Sequence, residues 1–482
     1  MISRKDLIKI NNWLWEIPKN FRPDMRVPAR IYVSDKMLED VFRDRSIPQL
    51  INLCCLPGIQ KYGLAMPDCH EGYASPIGGV AAIRTSDGVI SPGIQGYDVN
   101  CGMKLLKSDY LEKDIRPHLE NLATEIQKEV PSGLGRGRQI KLSIEQIDKI
   151  LEGGAKRLVE QGYGEKEDVE NCEAGGRLPQ ADASAISDHA KNRGRDQVGT
   201  LGSGNHFLEL QRVEEIFDEE VAEAFGLFKN QIVMMIHTGS RGLGHQVCTD
   251  YLREFIPLME RKYKIKVPDR EFACVPFNSP EGQRGLAASA CAANYAWANR
   301  QMITYFMRKA WRSVLGEKAL PLIPLYDVAH NIIKIEKYNI DGKETEVVVH
   351  RKGATRAFPP GHPEIPERYR EVGQPVLIPG SMGTASYVLV GTKKGEEAWY
   401  STCHGAGRTM SRHEAMRRVS GQEVVRRLGE KGIIIKCRSL RGIAEEAPIA
   451  YKDIHSVVEV VHNAGLSKKV AKLVPLAVIK GE

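Results

Sequence analysis

Residues 91–102 have the sequence SPGIQGYDVNCG, a glycine-rich segment that shows the period of neither a helix nor a strand. The segment contains a carboxylate, Asp98, and a thiol, Cys101. Its glycines let the backbone adopt positive φ angles or approach another group closely. We interpret it as a loop that turns Asp98 and Cys101 toward one bound cation. A surface loop with one buried structural cysteine is the alternative.

Three later stretches each place a histidine beside an apolar, strand-like run and next to small or polar residues. A histidine at the end of a buried strand is held rigidly, so we expect these imidazoles to converge on the floor of one pocket. The histidines are His206 in TLGSGNHFLEL (200–210), His237 in QIVMMIHTGSRGLGH (231–245) and His330 in PLIPLYDVAHN (321–331).

Together with Asp98 and Cys101, these histidines supply one oxygen ligand, one sulfur ligand and three imidazoles. A closed structural zinc site needs only four ligands, and a cysteine sulfur can bridge two ions, so the set favours a two-metal site with open positions. Such sites are typical of phosphoryl chemistry. The ligand types tolerate Zn²⁺, Mn²⁺, Fe²⁺ or Co²⁺ and do not choose among them.

His404 stands in STCHGAGRTMSR (401–412), where the residues directly after it are small. A neutral imidazole is a competent nucleophile near pH 7, and small neighbours leave room for a bulky ligand. A structural histidine is the alternative. The chain has no G-x-x-x-x-G-K-[ST] motif, and its closest string to the K-x-D-G motif of lysine-dependent ligases, NIDG (339–342), lacks the lysine. A covalent nucleotide adduct would therefore need another nucleophile, and His404 is available.

The composition predicts a soluble globular protein. Of 482 residues, 42% are hydrophobic and 27% are charged, and no run reaches the ~20 apolar residues of a membrane span. The start, MISRKDLIKINNW, lacks the features of a signal peptide, so we expect a cytoplasmic protein without membrane contact. The net charge of +7 suits a polyanionic partner but is also common in metabolic enzymes. The 10 cysteines include no C-x-x-C pair, which argues against a zinc ribbon.

Local patterns predict several elements of secondary structure. In MPDCHEGYASPIGGVAAI (66–83), we expect Asp68 and His70 in a loop before a buried strand. No repeat, low-complexity tract or linker is visible, which favours one intertwined domain. The other predicted elements are a strand over 30–33, a helix over 119–130 that ends at Pro131, a helix over 303–314 and a basic helix after 408.

Basic residues in glycine-rich or turn-rich segments are candidates for contacts with the phosphates of a polyanionic partner. For any one of them, a solvated surface residue is the alternative. The candidates are Arg136 and Arg138 in SGLGRGRQIK (132–141), Lys352 and Arg356 in HRKGATRAFPPGH (350–362), and Arg408 and Arg412 at the start of the basic helix.

Eight motifs, in this order, resemble those of the RtcB family of RNA-splicing ligases, and the similarity extends from about Trp15 to Lys480. The resemblance implies an α+β fold, with a single RtcB-type RNA ligase domain over residues 1–482 and a sheet-based core around a metal-binding cleft. The motifs are MPDCHEG, GYDVNCG, LGSGNHF, HTGSRGLGHQ, YDVAHN, HRKGATRAFPPGH, PGSMGTASY and STCHGAGR.

The resemblance also implies an activity. The enzyme would join RNA ending in a 2′,3′-cyclic phosphate or 3′-phosphate to RNA bearing a 5′-hydroxyl, in tRNA splicing and RNA repair, with GTP and two Mn²⁺ ions as cofactors. The expected partners are tRNA halves or broken RNA ends and an archease-type activating protein, and the expected oligomeric state is a monomer.

By the same resemblance, Cys101 would bridge two Mn²⁺ ions, with His206 and His237 on one ion and Asp98 and His330 on the other. His404 would attack the α-phosphate of GTP to form a histidine–GMP adduct, and Asp68 would orient its ring. The residues expected to contact GTP are Asn205, Glu209, Asn331, Pro379, Gly380, Ser381, Met382, Ser386, His404, Gly405, Ala406, Gly407, Tyr451 and Lys480.

Two other functions stay open at this point. A two-metal phosphodiesterase or phosphatase acting on nucleic acid without a nucleotide cofactor would use the five ligands but leave His404 without a role. A non-catalytic RNA-binding protein with a structural metal would hold a closed zinc site with no open position.

Overall fold

The computed structural model describes residues 2–131 and 142–481, and this part of the chain has the expected α+β fold with a sheet-based core. The strands are β1 (Ile8–Asn11), β2 (Leu14–Ile17), β3 (Ala29–Tyr32), β4 (Gly63–His70), β5 (Ile77–Arg84), β6 (Val89–Ile90), β7 (Gly102–Leu111), β8 (Phe207–Ile216), β9 (Gln231–Thr238), β10 (Val275–Pro276), β11 (Ile323–Ala329), β12 (Asn331–Ile340), β13 (Lys343–Lys352), β14 (Ala354–Arg356), β15 (Pro375–Ile378), β16 (Ser386–Gly391), β17 (Ser401–Cys403), β18 (Ile434–Lys436) and β19 (Ser467–Lys480). The helices are α1 (Ser46–Leu53), α2 (Glu112–Ile115), α3 (Leu119–Glu129), α4 (Ile144–Glu160), α5 (Lys166–Glu170), α6 (Asp188–Gly194), α7 (Glu219–Phe225), α8 (Arg241–Pro257), α9 (Pro280–Leu315), α10 (Arg412–Arg418), α11 (Gly421–Glu430), α12 (Leu440–Glu445) and α13 (Ile454–Ala464).

Two large sheets organise the described residues. The first has the strand order β1-β2-β3-β4-β5-β13-β12, in which only β3 and β4 are parallel neighbours. The second has the order β11-β7-β9-β8-β19-β16-β15 with antiparallel neighbours throughout, and β18 pairs in parallel with β19. Strands β14 and β17 pair in a separate two-stranded sheet, and His404 directly follows β17.

Helix α9 contacts strands of both sheets, and its residues 286–311 are mostly buried. Ser279 Oγ accepts a hydrogen bond from the Gly282 N–H, and Pro280 occupies the first turn, so the helix begins with a strong N-terminal signal. Sequence periodicity predicted only the part over 303–314, because the alanine-rich first half is buried on all sides and has no polar face to mark it. No helix in the described residues is both long and apolar enough to cross a membrane.

The predicted strand over 30–33 and the predicted helix over 119–130 are confirmed as β3 and α3, and α3 ends before Pro131. The basic helix after 408 is instead two helices, α10 and α11. They separate at Ser420, whose Oγ accepts a hydrogen bond from the Glu423 N–H and starts α11. The NIDG string forms the tight turn between β12 and β13, where Asp341 and Gly342 adopt φ angles of 53° and 81°.

The expectation of a loop at Asp68 and His70 was wrong, because both residues belong to the end of β4. Strand β4 pairs with β5 at Ala65 and next at His70, with a register shift between the two positions. Such an irregular strand does not alternate polar and apolar residues, so its sequence has the appearance of a loop.

Candidate active site

The five side chains expected to bind metal lie together at one edge of the second sheet. Because β11, β7, β9 and β8 are antiparallel neighbours, the starts of β7 and β8 fall beside the ends of β9 and β11. His237 of β9 is paired with Met103 of β7 on one side and with Phe207 of β8 on the other. We call the side chains at these strand ends the metal cluster, because they are the candidate metal ligands. They are Asp98, Cys101, His206, His237 and His330.

Cys101 is at the centre of this cluster. Its Sγ lies 3.5 Å from His206 Nε2 and 3.3 Å from His237 Nε2. His206 Nε2 is also 2.8 Å from Asp98 Oδ2, and the rings of His237 and His330 are 5.2 Å apart between centroids. The ligand atoms form two sets, each within 4.8 Å, of Asp98, Cys101 and His206 and of Cys101, His237 and His330. Cys101 Sγ therefore belongs to both sets, but the histidines divide between the sets differently from the division that the resemblance implies.

The electrostatics of the cluster suit a divalent cation. Burial, together with the charge of neighbouring histidines, lowers the pKa of His237 and His330 well below the usual value and keeps their rings neutral. Burial raises the pKa of Asp98, but the facing His206 outweighs it and lowers this pKa to about 2. Burial and the Asp98 charge raise the pKa of the Cys101 thiol well above its usual value, and a bound cation would reverse that by favouring the thiolate. Neutral imidazoles, a carboxylate and an ionisable thiol fit a site for two metal ions.

Local backbone geometry turns residues 91–102 toward the cluster. Gly96 has a φ of +90° and Asn100 a φ of 53°. A Cβ atom on Gly102 would lie 2.5 Å from the carbonyl oxygen of Val328, so glycine is required there. The interpretation of this segment as a loop built for close approach is confirmed.

Arg300 of α9, which no sequence motif indicated, supports the backbone at this edge of the sheet. Its Nη1 donates to the carbonyl oxygens of Asn100 (2.8 Å) and Thr238 (2.9 Å). Its Nε donates to Asp327 Oδ1 (2.9 Å), and its side chain is fully buried. The available signal was a charged residue in an alanine-rich stretch, because a charge is costly to bury without partners.

His404 follows β17 and meets the end of β4. The backbone N–H groups of His404 and Gly405 donate to Asp68 Oδ2 at 2.9 and 3.2 Å, and His404 Nδ1 lies 2.5 Å from the same oxygen. Burial raises the pKa of Asp68, but the His404 imidazole and backbone outweigh it, so the net pKa is lowered. The ring centroid of His404 is 5.1 Å from that of His330, which places the candidate nucleophile beside the metal cluster.

The glycine after this turn has a packing role that the sequence did not indicate. Gly407 has a φ of +70°, and a Cβ atom there would lie 2.2 Å from the carbonyl oxygen of Asp68. Gly407 is therefore required by the close approach of two backbone segments, in addition to any room it leaves for a ligand.

His404 and the metal cluster open into one cavity of about 420 Å³, a volume in the range of small-molecule sites. Most residues expected to contact GTP line it. These are Asn205, Asn331, Pro379, Gly380, Ser381, Met382, Gly405, Ala406, Gly407, Tyr451 and Lys480.

Two expected nucleotide contacts, Glu209 and Ser386, lie behind the cavity wall. Gln211 Nε2 donates to Glu209 Oε2 (2.6 Å) and to Ser386 Oγ (3.1 Å), and the Gly380 N–H donates to Ser386 Oγ (3.2 Å). Burial raises the pKa of Glu209 to about 8. This chain of hydrogen bonds supports the loop at 380 that faces the cavity.

Among the expected RNA contacts, Arg408 and Arg412 line the cavity. Both are anchored by the buried carboxylate of Glu446, at 3.0 Å from Arg408 Nη1 and 2.8 Å from Arg412 Nε. The hydroxyl of Tyr451 donates to the same carboxylate. Arg136 and Arg138 lie outside the described residues.

Two further expected RNA contacts, Arg356 and Lys352, are buried. Arg356 is fully buried and forms ion pairs with Glu173 (3.6 Å) and Glu364 (2.6 Å). The Lys352 amine donates to the backbone carbonyls of Tyr73 and Ser75, and burial lowers its pKa to about 8. Arg356 therefore has no exposed surface to offer a phosphate. Lys352 lines the same cavity as His404, although backbone carbonyls already accept hydrogen bonds from its amine.

Comparisons with known proteins point to one family. The family model described as "tRNA-splicing ligase RtcB" matches residues 49–481. A protein of Thermococcus kodakarensis named tRNA-splicing ligase RtcB is 52% identical over 484 residues, covering 100% of this chain and 99% of the relative. The protein of that name from Aeropyrum pernix is 51% identical, covering 98% of this chain and 99% of the relative. The RNA-splicing ligase RtcB of Mycobacterium tuberculosis is 50% identical over 436 residues, covering 90% of this chain and 100% of the relative.

Proposed function

Because the chain belongs to the RtcB family and is an RNA ligase, we propose that it joins RNA ends bearing a 2′,3′-cyclic phosphate or 3′-phosphate to 5′-hydroxyl ends with GTP. Its substrates are tRNA halves and broken RNA, and it acts as a cytoplasmic monomer with an archease-type activating protein. The domain extends over residues 1–482, since β1 and β2, outside the matched residues, pair into the first sheet.

The observation that carries this proposal is the contact between His404 and Asp68 inside a cavity that also contains the metal cluster. The Asp68 carboxylate holds the proton of His404 at Nδ1, which leaves the lone pair of Nε2 for attack. His404 Nε2 attacks the α-phosphorus of GTP, and pyrophosphate leaves. A 2′,3′-cyclic phosphate is first hydrolysed by one water to a 3′-phosphate and a free 2′-hydroxyl. The RNA 3′-phosphate then takes GMP from His404, giving an RNA-3′-pp-5′-G end, and the 5′-hydroxyl displaces GMP to form the new phosphodiester.

The five clustered ligands would hold two Mn²⁺ ions that share the Cys101 sulfur. When bound, such ions neutralise charge on phosphate oxygens and align the attacking group. The nearby GTP-binding wall includes the loop at 379–382 and Lys480, whose amine donates to the Gly204 carbonyl (2.6 Å) and so has a fixed position. Arg408 and Arg412, fixed by Glu446, supply positive charge toward the RNA.

The test is incubation with α-labelled GTP and Mn²⁺ without RNA, followed by denaturing electrophoresis. Wild type should acquire an acid-labile label, and His404→Ala should acquire none. His189→Ala, which changes an exposed histidine of α6, is the matched control and should label normally. A fully metallated wild type that stays unlabelled would instead favour the two-metal phosphodiesterase.

A further inference from the structure

The active-site cavity has a group of aromatic residues to which the proposed reaction gives no role. Tyr73 and Tyr97 line the cavity, and their ring centroids are 5.3 Å apart at an interplanar angle of 64°. Tyr97 also stacks on His245, at 4.8 Å and 27°. We call these three rings the aromatic ledge. Its two tyrosines share the cavity with Asp98 and His404.

The ledge is held in place from several sides. Tyr97 directly precedes Asp98, so its backbone belongs to the loop that forms the metal cluster. The carbonyl oxygen of Tyr73 accepts a hydrogen bond from the buried Lys352 amine, and the next N–H, of Ala74, donates to Glu271 Oε2 (2.7 Å). Lys352 therefore helps to position the ledge through the Tyr73 carbonyl.

The exposure of the rings distinguishes the ledge from core packing. Tyr73 and Tyr97 are half-buried and His245 is exposed, whereas core tyrosines of this chain, such as Tyr295 and Tyr326, have no exposed surface. Rings that present surface in a polar cavity are available to stack on another flat group.

A positive charge lies beside the ledge. The exposed side chain of Arg193 donates from Nη1 to Gln246 Oε1 (3.0 Å), next to His245 in α8. Burial lowers the pKa of His245, and the positive charge of Arg193 lowers it further. Aromatic rings flanked by a cation are the usual means of binding a single-stranded nucleic acid, because the rings stack bases and the cation contacts phosphate.

We propose that the aromatic ledge is a nucleobase subsite, on which the terminal base of an RNA end at the break stacks against Tyr73 and Tyr97. This inference rests on the proposed function, because it concerns the RNA that the same cavity joins. A base on the ledge puts its ribose and terminal oxygen near Asp98, and thus near the metal cluster. Stacking uses the face that every base has, so the subsite accepts all four bases at the break.

The test combines protein variants with RNA substrates that lack one base. Tyr97→Ala should lower the rate of joining, at limiting RNA, roughly 10-fold, whereas Tyr97→Phe keeps the ring and should stay near wild type. Guanylylation without RNA is measured on both variants, and the subsite accounts only for a loss of joining that exceeds the loss of guanylylation. Tyr163→Ala, which removes a tyrosine that is 38% exposed and outside this cavity, is the control for loss of a surface ring.

Removal of the base that occupies the ledge should slow wild type by a similar factor and should not slow Tyr97→Ala further, because the stacked pair is then already lost. One set of substrates lacks the base at the 3′-phosphate end, and the other lacks it at the 5′-hydroxyl end. The end whose base loss is not additive with Tyr97→Ala is the end that stacks. Additive losses at both ends would overturn the proposal.

A binding measurement separates this inference from the proposed function. RNA with 2-aminopurine as the terminal base should show quenched fluorescence on wild type without GTP, and less quenching on Tyr97→Ala and on Tyr73→Ala. Quenching without guanylylation or joining would support the subsite and contradict the ligase mechanism. If wild type is guanylylated and joins RNA, but wild type and both alanine variants quench equally, the ligase mechanism is supported and the subsite is contradicted.

Discussion

Asp68 Oδ2 accepts hydrogen bonds from the N–H groups of His404 and Gly405 and lies 2.5 Å from His404 Nδ1, although 336 residues separate Asp68 from His404. One oxygen thus fixes both the backbone and the ring of the candidate nucleophile. The contact joins the end of β4 in the first sheet to the turn after β17. The position of the imidazole therefore depends on tertiary packing of distant segments.

Asp68→Asn should slow the guanylylation of His404 on the order of 100-fold or more, because an amide cannot hold the Nδ1 proton and accept both N–H groups as the carboxylate does. The measurement is the rate of labelling by α-labelled GTP without RNA. Asp87→Asn, which changes a surface partner of Arg84, is the control. Joining of RNA that already carries the 3′-pp-5′-G end should suffer much less, and an equal loss in both assays would contradict an orienting role.

Cys101→Ser should lower the metal content at both positions, because Cys101 belongs to both ligand sets. His206→Ala should lower it at one position only, since His206 belongs to one set. The measurement is bound metal per chain after dialysis, together with the thiolate-to-metal absorption of the cobalt-substituted protein. Cys437→Ser changes a half-buried cysteine that belongs to neither ligand set, so it should leave both readouts unchanged. Retention of two ions by Cys101→Ser would rule out a shared sulfur.

Arg412→Ala should weaken RNA joining and reduce the slope of its salt dependence by about one counterion, while guanylylation is retained. The side chain is half-exposed at the cavity, and its anchor Glu446 also holds Arg408. The control is Arg426→Ala, in which an exposed arginine paired with Glu423 is removed. Equal loss of guanylylation and joining would show that Arg412 serves the nucleotide instead of the RNA.

The buried carboxyl of Glu209 should make stability depend on pH. Its pKa is raised from 4.5 to about 8 by burial, so the folded state binds more protons than the unfolded state between these values. The free energy of unfolding should therefore fall as pH rises from about 5 to 8, by at most ~1.4 kcal/mol per unit from this group. Urea unfolding of Glu209→Gln should lack this part of the slope. Glu215→Gln, at an exposed position of the same strand, should keep it.

Arg300→Met should destabilise the fold by about 3 kcal/mol, because Asp327 would remain buried without its partner. The carbonyl oxygens of Asn100 and Thr238 would also lose their donor, so metal affinity should fall as well. The measurements are urea unfolding and metal titration. Arg312→Ala, an exposed arginine of the same helix, should change neither by more than ~0.5 kcal/mol.

The sequence by itself determined which residues could carry the chemistry. Asp98, Cys101 and the three clustered histidines were identified from ligand type and glycine-rich context, and the structure brings them to one sheet edge. The motifs also identified the family and with it the α+β class. Segments with clear local period, such as α3, were predicted correctly, because periodicity reports which face of an element is buried.

Only the tertiary structure decided how these residues are arranged. The order β11-β7-β9-β8 is not the chain order, so no local pattern could group His206 with Asp98 or His237 with His330. Arg356, a basic residue in a turn-rich segment, was expected at the surface but is buried between carboxylates. Arg300 belongs to an apolar part of α9, yet it donates a hydrogen bond to the loop that contains Asp98 and Cys101. Burial and pairing depend on neighbours distant in sequence, and the free energies of those contacts arise only when the sheets and α9 pack together.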